Sequence, residues 1–156
     1  MKKSKTRIYP SSRSGSLDNS FRKILHNPRR ILKDYVKEDM KVLDLGCGPG
    51  LFSFEMAKIV GSNGKVVAAD IQQDMLDKLA NKIKGLGIEK RIKIHKPEKN
   101  KFNLKDNFDF ILLFYVVHEV ENKIGFLQGL KKLMKKDTKV LIAEPIFHVS
   151  KNAQVN

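Results

Sequence analysis

At 156 residues the chain holds one domain's worth of sequence and can bury a sizeable core. No apolar stretch is long enough to span a bilayer, the lysine-rich start lacks the apolar run of a signal peptide, and the single cysteine, Cys47, excludes an internal disulfide and a cysteine-based metal cluster. The formal charge of +14 is unevenly placed, with ten basic residues against one acid, Asp18, in residues 1–33, and 21 basic against 16 acidic from Asp34 onward. A soluble, cytoplasmic protein with no membrane span and no metal site is expected.

Residues 1–16, with KKSKTR and SSRSGS, read as a basic flexible arm, and 17–156 as a single domain. Two N-terminal helices are expected over 17–40: DNSFRKILH capped by Asp18, then RRILKDYV opened by Asn27 as N-cap and Pro28 at the first helical position. A core over 41–148 follows. MKVLDLG is a short buried strand, LFSFEMAKIV a helix, and KVVAAD a second strand after the turn GSNGK. IQQDMLDKLANKIKGLG carries apolar residues at 71, 75, 76, 79 and 83, a helical spacing that ends at Gly85 and Gly87. RIKIH is the third strand, FDFILLFYVV the fourth, NKIGFLQGLKKLMKK an amphipathic helix with solvated lysines, and KVLIAEPIF the fifth strand. Strands alternating with helices give a doubly wound, mostly parallel α/β sheet, with ligands at the carboxyl ends of its strands. The inferred strand order is 3-2-1-4-5.

The loop VLDLGCGPG, residues 42–50, joins the first strand to its helix, where such a sheet binds a nucleotide-like ligand. Gly46, Gly48 and Gly50 let the backbone turn sharply and a ligand approach closely. The helix from Leu51 points amide N–H groups and a positive dipole end into the same space, which favours an anionic group. Asp44 adds a negative charge that is awkward beside a pyrophosphate and suits a ligand also carrying a cation. Asp70 ends the second strand, placed to accept hydrogen bonds from two ribose hydroxyls, and Ile71 and Met75 are candidates to flank an adenine. An adenosine joined to a group with both a carboxylate and a cation describes S-adenosyl-L-methionine. The competing dinucleotide pattern G-x-G-x-x-G fails, because its sixth position is Leu51 and Pro49 stiffens the turn.

These residues resemble the first two motifs of the class I S-adenosylmethionine-dependent methyltransferases, which have a Rossmann-like fold. FDFILLFYVVHEV and KVLIAEP continue the likeness, which covers roughly residues 30–147 and is nearest to the ubiquinone/menaquinone-biosynthesis type. The resemblance implies a cofactor site built from Asp44, Gly46, Cys47, Gly48 and Gly50, with Asp70 and Ile71 on the adenosine, and S-adenosyl-L-homocysteine as product. Such domains often place an Asp after the third strand against the adenine amino group; Glu98, in HKPEKNKF, is the candidate here. The family's glycine before the fifth strand is replaced by KKDTKV, and the two further strands usual after the fifth are expected to be missing from this sequence.

Methyl transfer needs alignment of donor and nucleophile and exclusion of water, with a general base only where the acceptor must lose a proton. Tyr115, His118 and Glu119 follow the fourth strand at the correct end of the sheet, and His118 is the candidate base. The leading reading is simpler: His118 and Glu119 cap or pack the loop behind the strand, and the catalytic residues stay unassigned. Glu144-Pro145 ends the fifth strand near the same edge. Cys47 reads as a small buried residue rather than a nucleophile, and His26, His95 and His148 have no identifiable partners. A small-molecule acceptor is the leading expectation. The alternatives are an RNA methyltransferase, which rests on the basic arm alone, and a catalytically idle cofactor-binding domain. The apolar fifth strand at the sheet edge is expected to be covered, most simply by a second copy in a homodimer.

Overall fold

The computed structural model describes residues 27–99 and 101–144. The expected helix over 18–26, the basic arm, His26 and His148 lie outside them. The described residues form α1 (Pro28–Leu32), β1 (Lys41–Leu45), α2 (Leu51–Ile59), β2 (Lys65–Ala69), α3 (Gln73–Ile83), β3 (Ile92–His95), β4 (Phe108–Phe114), α4 (Lys123–Lys131) and β5 (Met134–Ala143), with short 3-10 turns at Glu89–Arg91 and Val117–Glu119. The five strands form one parallel sheet in the order β3-β2-β1-β4-β5, the order inferred from the sequence.

Each central strand is apolar on both faces because helices cover both. Val42, Phe110 and Leu112 face α1, α2 and α3, packing with Leu32, Phe52, Met56, Leu76 and Leu79. Leu43, Leu45, Ile111 and Leu113 face the other way, onto Leu130 and Leu133 at the end of α4 and onto Phe102 and Leu104 of the β3–β4 crossover. The near-continuous apolar runs of β1 and β4 are the signature of strands buried on both sides. The order in which the chain adds strands reverses between β1 and β4, so the crevice at their carboxyl ends is the topological switch point.

The N-terminal boundary falls where capping chemistry puts it. The Asn27 side chain accepts from the Arg30 amide, and Pro28 occupies the first turn. This helix is shorter than the apolar pattern suggests, closing after Leu32 into a turn that still buries Val36. In α3 the buried residues are Met75, Leu76, Leu79 and Ile83; Ile71 precedes the helix and is 41% exposed.

The largest departure from expectation lies between α4 and β5. The helix ends at Lys131 rather than continuing through Lys136, and the fifth strand starts at Met134 rather than Lys139. Contacts distant in sequence override the helical spacing. Asn107 Nδ2 donates to the carbonyls of Lys132 and Met134, and Met134 pairs with Phe108. The ladder then shifts register, so that Phe110 pairs with Lys139. Within the shifted segment the Thr138 hydroxyl accepts from the Lys135 amide and donates to the Phe108 carbonyl, and the Lys135 ammonium meets Asp109 at 2.5 Å. No helix among the described residues is long and apolar enough to cross a membrane.

Candidate functional site

The glycine loop lies at the carboxyl end of β1 and is fastened to β2. The amides of Gly46 and Cys47 both donate to the Ala69 carbonyl, at 2.8 and 3.0 Å, and the Gly50 amide closes a turn onto Cys47. All three glycines have positive φ: 75° at Gly46, 52° at Gly48 and 87° at Gly50. They differ in what surrounds them. A Cβ on Gly46 would lie 2.3 Å from Val116 Cγ2, and one on Gly50 would lie 2.2 Å from Leu79 Cδ1. A Cβ on Gly48 would meet nothing within 4 Å. The outer two glycines let protein parts approach one another; the middle one faces open space, where a ligand can approach the backbone.

Two carboxyl groups belong to this loop: Asp44 just before it and Asp70, which holds the Gly48 amide. Asp44, on β1, is 2% exposed and accepts from the Ser53 hydroxyl of α2 at 2.5 Å. Burial pushes its pKa up to about 7; the Ser53 hydrogen bond opposes the shift, and the charge of Asp70 adds to it. Asp70, just past β2, accepts from the amides of Gly48 and Gln72, each at 2.9 Å. Burial raises the Asp70 pKa as well, against the pull of those amides. Two acids pushed toward neutrality beside an open loop are an arrangement that a cation would relieve and a pyrophosphate would aggravate. Cys47 is buried, and its thiol is held well above its usual pKa by burial and by the charges of Asp44 and Asp70, so it is no nucleophile at neutral pH. Gly50 caps α2 without a side-chain acceptor, and the Leu51 and Phe52 amides have no partner among the described residues.

The remaining expected cofactor residues are more scattered. Met75 is 2% exposed, so its side chain is taken up by the interior, while Ile71 stands open. Glu98 lies on the exposed excursion after β3, which is pinned by a bridge to Lys101 and by His95 Nε2, 2.6 Å from the Phe102 carbonyl. His95, without a partner in the sequence reading, therefore has one.

Beyond β4 the chain folds back over the end of β5. Tyr115 extends the ladder by donating its amide to the Ala143 carbonyl, then turns with φ of 58°, a strained value for an aromatic residue. Val116 follows, against Gly46, so this loop and the glycine loop are neighbours. Glu144 then gathers the chain: its Oε1 accepts the amides of Val116 and Val117 at 3.1 and 2.7 Å, and its Oε2 accepts the His118 amide at 3.4 Å. The same Oε2 lies 2.5 Å from His118 Nδ1. Sequence reasoning placed His118 and Glu144 at one edge and missed that they pair. The usable signal was the strand order, since residues just past the ends of adjacent parallel strands lie side by side.

This geometry, a glycine loop at the switch point with an acid ending each of the first two strands, has a close counterpart among known proteins. The profile of the methyltransferase domain matches residues 36–155. The chain belongs to this methyltransferase-domain family. It is 33% identical over 116 residues to a ubiquinone/menaquinone biosynthesis C-methyltransferase of Haemophilus ducreyi, and 32% identical over 110 residues to a demethylmenaquinone methyltransferase of Lactobacillus johnsonii. Those alignments cover 72% and 70% of this chain and 45% of each relative, so the chain spans less than half their length. Among solved structures, a SAM-dependent methyltransferase from Aquifex aeolicus superposes with a TM-score of 0.75 at 36% identity, over 82% of this chain and 69% of the other.

Proposed function

We propose that the chain binds S-adenosylmethionine in the glycine-loop crevice and transfers its methyl group to a small-molecule acceptor. The observation that carries this reading is the glycine loop left open at Gly48, held by Asp70 through the Gly48 amide and preceded by the buried acid Asp44, with burial raising the pKa of both acids. Asp44 supplies charge complementarity to the cationic end of the ligand, and Asp70 accepts from ribose hydroxyls with the lone pairs left over from its two amide contacts. Gly46, Cys47, Gly48 and Gly50 form the floor, and the Leu51 and Phe52 amides at the start of α2 favour the carboxylate. Ile71 and Met75 flank the adenine, Ile71 from the exposed side and Met75 from the interior, with Glu98 toward its amino group. When bound, the cofactor supplies an already activated methyl on a sulfonium, so the protein's share of the work is alignment and exclusion of water.

The two quinone-biosynthesis relatives favour a quinol-like aromatic acceptor. The exposed edge of β5, where Ile142 is 46% exposed, favours a homodimer paired through that strand. The test is transfer of a labelled methyl group to a demethylated quinol and, in parallel, to total RNA, by the intact chain and by the chain without residues 1–16. Label in the quinol, unchanged by the truncation, supports the reading. Label in RNA that depends on those residues would move the acceptor to nucleic acid, and no label in either would leave an idle binding domain.

A further inference from the structure

The Glu144 contacts do more than close a loop. A carboxylate only accepts hydrogen bonds, so at 2.5 Å from Glu144 Oε2 the Nδ1 atom of His118 must carry a proton. In the neutral ring this makes Nε2 the unprotonated nitrogen, the one with an acceptor lone pair. Near Nε2 stands Glu119, whose Oε1 is 4.0 Å away, too far for a hydrogen bond. The His118 side chain is 22% exposed and the Glu144 side chain 16%, so the pair is partly open to solvent rather than inside the core. Its backbone position is fixed from two sides: Val116, two residues earlier, abuts Gly46 of the glycine loop, and Glu144 holds three consecutive amides.

A loop with a purely structural carboxylate would need only the amide contacts. Using one oxygen for both the His118 amide and its ring nitrogen selects a tautomer. We infer that His118 is the general base of the reaction, accepting the acceptor's proton at Nε2, and that Glu144 is the positioning residue that fixes its tautomer and offsets the charge it gains. This rests on the methyl-transfer reading above and deepens it, because it restricts the acceptor to a group with a proton to lose: a phenolic or quinolic hydroxyl, directly or as the activator of its ring carbon. The balance is simple for the hydroxyl itself. The proton passes from oxygen to Nε2, the oxygen's electron pair forms the new bond to the methyl carbon, and the pair of the old carbon–sulfur bond stays on sulfur. For attack through the ring, the same proton passes to Nε2 while the ring carbon makes the bond and afterwards gives up its own proton to water.

The test has two readouts. Long-range proton–nitrogen NMR of histidine-labelled protein reports the tautomer without any turnover. The wild-type chain should show neutral His118 protonated at Nδ1 and unprotonated at Nε2, with the Nδ1 proton protected from exchange. Glu144→Gln should lose that protection, and Glu144→Asp should restore part of it. Transfer of labelled methyl to reduced 1,4-naphthoquinone is the second readout. His118→Gln should lower kcat by roughly 100-fold or more, and Glu144→Gln by at least about tenfold, with KM for the quinol little changed. Binding of S-adenosylhomocysteine should be unaltered in both variants. A ring protonated at Nε2 in the wild type, or a His118→Gln rate equal to wild type, would overturn the assignment. Absence of transfer by the wild type would overturn it too, and retained S-adenosylhomocysteine binding would then show that the proposed cofactor site stands without it.

Discussion

Replacing Asp44 with Asn should remove a pH dependence of stability whose size and sign follow from the burial of that one carboxyl. Unfolded, the group titrates near 3.8; folded, at about 7. A raised folded pKa means that the proton favours the fold, so the contribution is fully present below pH 3.8 and is lost as pH rises through 7. The gap between those two values, at roughly 1.36 kcal/mol per pH unit, comes to about 4 kcal/mol in total, of which about 2–3 kcal/mol is lost between about pH 5 and pH 8. The carboxamide of the Asp44→Asn variant does not titrate, and its carbonyl can still accept from the Ser53 hydroxyl, so packing is nearly unchanged. Urea unfolding of both proteins across that range gives the comparison directly. The stability of the wild type relative to Asp44→Asn should fall by about 2–3 kcal/mol from pH 5 to pH 8, whatever the other carboxylates contribute in common. Parallel curves would refute the argument, because they would mean that Asp44 titrates alike in both states. A cation seated beside Asp44 should discharge the proton, so S-adenosylmethionine binding near pH 6 should release protons into the buffer in the wild type and not in the variant.

The loop and the sheet edge yield three more expectations. Asp70→Ala should weaken S-adenosylhomocysteine binding by about 1.5–3 kcal/mol in calorimetry, through loss of charge-assisted ribose contacts and of the tether to the Gly48 amide. Gly48→Val and Gly50→Ala should separate ligand space from packing space. The first has room for its side chain and costs only backbone strain of roughly 1–2 kcal/mol, so thermal melting shifts modestly while binding is abolished. The second forces Leu79 aside and should lower the melting temperature further than the first. Sedimentation should show a dimer that Ile142→Lys converts to a monomer; a wild-type monomer would leave β5 without the proposed partner.

Where the sequence carried local signals, the fold was readable. Alternation of apolar runs with 3.6-residue periodicity found each strand and α-helix of the described residues, and the parallel crossovers gave the strand order. The ends were less legible: the fourth strand, expected over 108–117, stops at Phe114 before a 3-10 turn at Val117–Glu119. Periodicity failed at 132–138, where Leu130, Leu133 and Met134 continue a helical spacing into a lysine run. What ends the helix there is a set of contacts from Asn107 to the Lys132 and Met134 carbonyls, from Lys135 to Asp109 and from Thr138 to the Phe108 carbonyl, between residues about 25 to 30 positions apart that no window of sequence contains. The glycine loop was legible because its signal is written in contiguous residues: glycines at alternate positions after a buried acid. Gly46 and Gly50 nevertheless have a second role, contact with Val116 and Leu79, that depends on elements brought in from elsewhere. The His118–Glu144 pair was half legible. Each residue stood at the right edge, but their contact requires the register of β4 against β5, in which Phe114 lies beside Ala143.

The central claim is that the open backbone at Gly48, held by Asp70, binds a methyl donor rather than a dinucleotide. Isothermal titration of the purified chain with S-adenosylhomocysteine, and separately with NAD, tests it without knowledge of the acceptor. Saturable one-to-one binding of S-adenosylhomocysteine with no detectable heat from NAD is the expected result. Binding of NAD with none of S-adenosylhomocysteine would contradict the account of the loop, and with it the proposals built on that account.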